Sequence, residues 1–306
     1  MTSGSSDQLT AVGRNHPRGE PAFRAGHARR ARIERRSVRG GFGVVTFIAY
    51  AFLYAPIIGL IVFSFDKSPL ASSWTGFTWH WYSVLFHDSV ILGSLKVSAI
   101  VGVSAAAIAT VIALMAAVML ARHDFRGKQA FLGLMILPLL LPEIVLAIAF
   151  LTLLSDLHVK LGYLSLIAGH VALTLPYAVL LLLGAVNQLD PSLQEAATDL
   201  GCSPVKAFLK VVLPLLLPAL LGAFLLAFSV SFGDIVMSNF VSGVGQTPLP
   251  VEVYSLLKTG VTPEINALGT LLVVITLGLI LLIGVKNLAS GGLRPAATEK
   301  EAADNS

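Results

Sequence analysis

Apolar residues in this chain are gathered into six long runs separated by short polar stretches. The first, Gly43–Phe65, is 23 residues without a charge. The others are Val90–Ala121, Ala130–Leu154, Leu161–Val186, Val211–Gly233 and Ile265–Val285. At about 1.5 Å rise per residue, roughly 20 apolar residues cross a hydrocarbon core about 30 Å thick, so each run predicts a spanning helix. Signal-peptide cores are shorter, roughly 7–15 residues, so the first run reads as a retained span. The expected fold class is an all-α membrane protein with six transmembrane helices.

The polar stretches carry the local signals. Residues 1–42 are rich in Gly, Ser, Pro and Arg, predicting a disordered basic tail, and residues 287–306 form a second polar tail. Asp66–Asp88 holds Trp74, Trp79 and Trp81 with Tyr82 and Phe86, which suits a helix lying in the headgroup layer. Ser238–Pro263 reads as an exposed segment with a Gly- and Pro-rich middle, and Thr262-Pro263-Glu264 starts the last helix with its acid at the positive end of the dipole. The longest polar interruption of the second half is Leu189–Pro214. There Asp190-Pro191 reads as cap and first turn, Gly201 as the residue just past that helix, and Ser203-Pro204 as a second cap and start. The result is a hairpin of two short helices hinged at one glycine.

Composition agrees with a membrane protein. The 306 residues are 55% hydrophobic and 12% charged, against roughly a quarter charged in soluble domains. Of the 21 basic residues, nine are arginines in the first 39 positions and seventeen fall on one side of a six-span topology. The positive-inside rule then puts both termini and the Leu189–Pro214 hairpin in the cytoplasm, and makes nucleic acid an unnecessary partner for the basic tail. Cys202 is the only cysteine, which excludes an internal disulfide and a Cys-based metal cluster.

Two acids stand out because carboxylates are costly at membrane depth unless paired or wet. Glu143 follows Pro138 and Pro142 inside the third run, near mid-depth, and Asp234 closes the fifth run near the outer mouth. Either they partner a cationic cargo, or Glu143 pairs with His170 or a helix end while Asp234 simply caps. His170 by itself reads as a neutral packing histidine. No G-x-x-x-x-G-K-[ST] run cradles nucleotide phosphates, and Gly127-Lys128 lacks both flanking elements of one. No nucleophile, base and oxyanion set is visible. The chain therefore reads as a non-enzyme without cofactor or metal.

The spacing Glu195-Ala196-Ala197, three residues, Gly201, nine residues, Val211-Val212-Leu213-Pro214 resembles the EAA loop of ABC importer permeases, with Val211 in place of Ile. Further stretches are similar to the second permease of spermidine/putrescine importers: Trp74–Tyr82, Phe125–Lys128, Leu141–Val145, and Leu249–Lys258 leading to Gly260–Leu268. The likeness spans residues 42–286 and leaves the basic tail uncovered. One departure is Gly233-Asp234 where those permeases often carry two adjacent acids. The resemblance implies a type I importer fold over residues 43–286, with residues 189–214 docking in a groove of a separate ATPase that binds the ATP. It also implies a second permease subunit, an extracytoplasmic binding protein, residence in a bacterial inner membrane, and polyamine as cargo. Another solute within the class, a self-sufficient secondary transporter with inverted repeats, and a membrane scaffold without transport are the competing readings.

Overall fold

Helix α3 (Ser89–Arg122) is the 34-residue axis of the main bundle. Its buried positions recur three and four apart, and between Val101 and Ala117 all but one are Gly, Ala or Thr. Small side chains on one stripe let neighbouring backbones come close. Helices α6 (Tyr163–Gln188) and α9 (Leu213–Phe232) use that stripe, and both pack along α3 and against each other. At Gly102 an added Cβ would lie 3.1 Å from the Phe228 ring, which shows how near α9 lies.

The computed structural model describes residues 45–68, 74–260 and 262–289. Expectations for the N-terminal tail, and for the C-terminal tail beyond Ala289, fall outside the described residues. The chain divides into two units between Leu60 and Ile61. The first contributes most of α1 (Val45–Phe63), a 19-residue apolar helix.

In the second unit, Asp66 and the aromatics after it fold on one another. Asp66 Oδ1 accepts from the backbone N–H and the hydroxyl of Thr75 at 2.7 and 2.9 Å, and Trp81 Nε1 donates to the Asp66 carbonyl. Phe65, Phe77, Trp79 and Tyr82 stack beside this turn, ahead of the short helix α2 (His80–His87). Asp88 then caps α3, accepting from the N–H groups of Val90 and Ile91.

The third apolar run differs from a straight span. It forms α4 (Lys128–Leu140) and α5 (Glu143–Asp156), which meet at 109°. Pro142 explains the break: it disfavours helical backbone at Leu141 and donates no N–H to continue the ladder, and Leu141 is extended at ψ 141°. Pro138 stays inside α4.

The segment after Asp234 also departs from expectation. Instead of an exposed stretch it folds into α10 (Val236–Val241) and α11 (Leu249–Thr259). Met237, Ser238, Val241 and Leu249 are buried. Helix α10 packs on α5 and α6, and the first N–H of α11 donates to Ser98 Oγ of α3 at 2.7 Å. Between them Gly243 lies so close to Leu161 that an added Cβ would sit 2.4 Å from its carbonyl oxygen.

Among the described residues, four helical stretches are long and apolar enough to cross a membrane: Val45–Phe63, Ser89–Arg122, Tyr163–Gln188 and Pro204–Phe232. The bent α4–α5 pair makes five if taken as one span. The final helix α12 (Pro263–Ala289) begins on a buried turn, with Ile265 buried and Ala267 and Leu268 packed against α2 and α11.

Candidate functional site: the hairpin and a buried polar cluster

The hairpin forms where the sequence places it. Helix α7 covers Ser192–Asp199, and Asp190 Oδ1 accepts the Ser192 N–H at 2.9 Å. That bond, with Arg122 nearby, holds the Asp190 carboxyl below its ordinary range. Gly201 has φ +87°, the Gly201 N–H donates to Thr198 O, and the Cys202 N–H donates to Ala197 O. This pair of bonds is a Schellman ending, which satisfies carbonyls left open at the end of α7. Ser203 Oγ then accepts the Lys206 N–H at the start of α8 (Pro204–Ala207).

A five-residue π segment, Phe208–Val212, joins α8 to α9. Its wider turn, with the Leu213 N–H donating to Phe208 O, precedes Pro214, which has no N–H to give.

Of the motif residues, Glu195 and Ala196 are exposed while Ala197 is buried against the turn. Leu213 is half-buried and Pro214 exposed as α9 begins. Arg122 ties the hairpin to α3 by donating from Nη2 to Leu189 O at 3.3 Å. Between the end of α3 and the hairpin lies an open groove of about 590 Å³, lined by Arg122, His123, Gln194, Glu195, Val205 and Phe208 among others. Leu200 is 87% and Val205 67% exposed, so the hairpin presents apolar side chains that nothing in the described chain covers.

The second site lies far from the hairpin. His170 sits eighteen residues before the last residue of α6, about 27 Å along the helix. The structure brings Glu143 and Asp234 together: Glu143 opens α5, and its carboxyl is a close enough neighbour of the Asp234 carboxyl to interact with it. Asp234 is 5% exposed, not at an open mouth, because it caps α10. Its Oδ1 accepts the Met237 N–H at 3.2 Å and its Oδ2 the Ser238 N–H at 2.7 Å. Asp234, and not Glu143, faces His170, with Oδ2 3.5 Å from Nε2.

His170, 1% exposed, also lies 2.7 Å from Ser231 Oγ through Nδ1 and 3.1 Å from Ser238 Oγ through Nε2. Ser231 and Ser238 are functional-site neighbours that sequence reading does not single out. A serine in an apolar run is a common packing residue, and the only available signal is their nearness to Asp234, three residues before it and four after.

Comparison with known proteins fits this architecture. Residues 109–291 match the family described as binding-protein-dependent transport system inner membrane component. The chain is 42% identical over 236 residues to the spermidine/putrescine transport system permease protein PotC of Haemophilus influenzae, covering 77% of this chain and 92% of that one. It is 40% identical over 246 residues to PotC of Escherichia coli K12 (80% and 92% covered), and 35% identical over 236 residues to the putrescine permease PotI of the same strain (75% and 84% covered). A crystal structure of a bacterial ABC transporter that imports alginate aligns with a TM-score of 0.64 at 17% identity, covering 83% of this chain and 96% of that one. At that identity the likeness shows the fold alone. The chain belongs to the family of inner membrane permease components of binding-protein-dependent transport systems.

Proposed function

We propose that this chain is the permease subunit through which an ATP-driven importer passes a polyamine, spermidine or putrescine, into the cell. The observation that carries the cargo is the Glu143–Asp234 pair: an exposed carboxyl opening α5 interacts with a buried one that caps α10 beside His170, Ser231 and Ser238. Two neighbouring carboxylates repel one another, and a primary ammonium placed between them relieves that repulsion. The PotC and PotI relatives, whose names carry spermidine and putrescine, support the same cargo. The departure at Gly233 is compatible with it, since the second acid arrives from α5.

In this reading six helices span the membrane with both termini in the cytoplasm, α12 being the sixth. The Glu195–Gly201 turn, with Leu213-Pro214 behind it, seats in a separate ATPase subunit that binds the ATP. A second permease completes the pathway and an external binding protein delivers cargo. The exposed Leu200 and Val205 and the groove beside them support a protein partner at the hairpin.

The test is uptake by the complete complex in proteoliposomes supplied with binding protein. Removing one charge-assisted contact costs about 1.5–3 kcal/mol. Glu143→Gln should therefore raise the KM for spermidine by roughly tenfold or more, with ATPase subunits still co-purifying. Unchanged uptake in the Glu143→Gln/Asp234→Asn double variant takes these acids out of the pathway. A wild-type complex that moves neither polyamine removes the cargo assignment.

A further inference from the structure

A histidine buried inside a membrane bundle is normally quiet packing, yet His170 spends both ring nitrogens on one short stretch of chain. Nδ1 meets Ser231 in the last turn of α9, and Nε2 meets Ser238 in α10 and faces Asp234 in the turn between them. Three residues within one eight-residue segment thus converge on a single imidazole. Asp234 Oδ2 is placed to accept, so a ring with its proton on Nε2 suits all three: Nε2–H points to Asp234 Oδ2 and Ser238 Oγ, while Nδ1 accepts the Ser231 hydroxyl. The backbone around the ring is closely packed, since the Thr174 hydroxyl donates to the His170 carbonyl, and a Cβ added at Gly169 would lie 3.1 Å from Met237.

We infer that His170 is a positioning residue for cargo recognition: it holds the α9–α10 turn and the Asp234 carboxyl in the orientation that faces Glu143. This rests on the cargo pathway proposed above. His170 is too enclosed to touch cargo itself, and Asp234 is committed through both oxygens to α10. Glu143, exposed on α5, is then the acid that meets the ammonium, while Asp234 sets its field from behind. The imidazole decides where that buried charge points.

Two conservative variants separate the ring's two contacts. The Gln amide nitrogen overlays Nε2 and keeps the Asp234 and Ser238 side, whereas the Asn amide overlays Nδ1 and keeps only Ser231. In proteoliposome uptake of spermidine, His170→Asn should raise KM by roughly ten- to a hundredfold, as a misplaced group about 1 Å out of position does, with Vmax little changed. His170→Gln should restore most of that loss. Wild-type KM in both variants overturns the inference, as does an equal loss of Vmax in both without a change in KM, which is what a purely structural histidine gives.

A readout independent of cargo and of these variants' assembly is the ring nitrogen-15 signal of His170 in the purified complex, assigned against His170→Gln or, if that variant does not assemble, by selective labelling. Asp234→Asn should move the Nε2 signal and Ser231→Ala the Nδ1 signal. A ring insensitive to Asp234→Asn sinks the inference even if the wild-type complex transports some other solute, and a ring that responds while neither polyamine is taken up sinks only the cargo assignment.

Discussion

Replacing Gly201 by valine tests the hairpin at its hinge. The backbone there has φ +87°, and no atom lies within 4 Å of where a Cβ would go. Crowding therefore contributes nothing, and the whole effect comes from forcing an L residue into the left-handed region. That costs roughly 1–2 kcal/mol for an ordinary residue and up to about 3 kcal/mol in strained cases, with β-branched side chains at the upper end. Helix α7 cannot absorb it: at eight residues it falls well short of the roughly 12–15 that stand alone in water, whereas α8 opens the continuous helical stretch Pro204–Phe232. A penalty of about 2 kcal/mol, at about 1.4 kcal/mol per factor of ten, depopulates the native hairpin roughly thirtyfold. Gly201→Val should reach the membrane normally, since no span is touched. It should lose ATPase co-purification and cargo-stimulated ATP hydrolysis in proportion. Gly201→Asn, whose short side chain tolerates this backbone, should retain most of both. Undiminished coupling in Gly201→Val refutes the reasoning, and so does equal damage from valine and asparagine.

Two further outcomes follow from the fold. Val244, fully exposed at the tip of the turn before α11, should as Val244→Cys in a Cys202→Ser background react with impermeant thiol reagent only from outside the cell; labelling only from the cytoplasm would invert the topology. Ser98→Ala leaves the buried Leu249 N–H without its acceptor, which costs about 1–3 kcal/mol; protease or hydrogen-exchange protection should fall across 249–259 with α6 unaffected, and unchanged protection there would show that Ser98 does not hold α11.

Local chemistry made the hairpin legible from sequence. Asp190, Gly201, Ser203 and Pro204 each act on backbone groups within a few residues, so their order along the chain already contains their bonds. The long helices α3, α6 and α9 were legible for a similar reason, because length and apolarity suffice. The 109° bend was only half legible: Pro142 announces an interruption but carries no information about its angle, which depends on how α5 meets α10. Residues 236–259 read as exposed because their Gly and Pro signals are turn signals, while their burial comes from α3, α5 and α6, elements distant in the chain. The polar cluster was the least visible. His170 lies 61 and 68 residues from its serine partners, and neither periodicity nor spacing reaches that far. Glu143 and Asp234 each drew notice as costly acids, and capping by Asp234 is local chemistry that the sequence reading includes, but that the two acids answer one another is a fact of tertiary packing alone.

The π segment gives the motif's spacing an angular meaning. In an α-helix each residue turns the chain by about 100°. The wider turn at Phe208–Val212 absorbs one residue without that rotation, so the hairpin's bearing around the α9 axis is set by how many residues lie between Gly201 and Pro214. Removing one while the π turn persists would swing Glu195 and Leu200 roughly a quarter turn or more away from their present heading, while leaving every cap and every apolar run intact. The count between the glycine and the Leu213-Pro214 pair works as a protractor: the distance written in the sequence is an azimuth, and it aims the hairpin at whatever receives it.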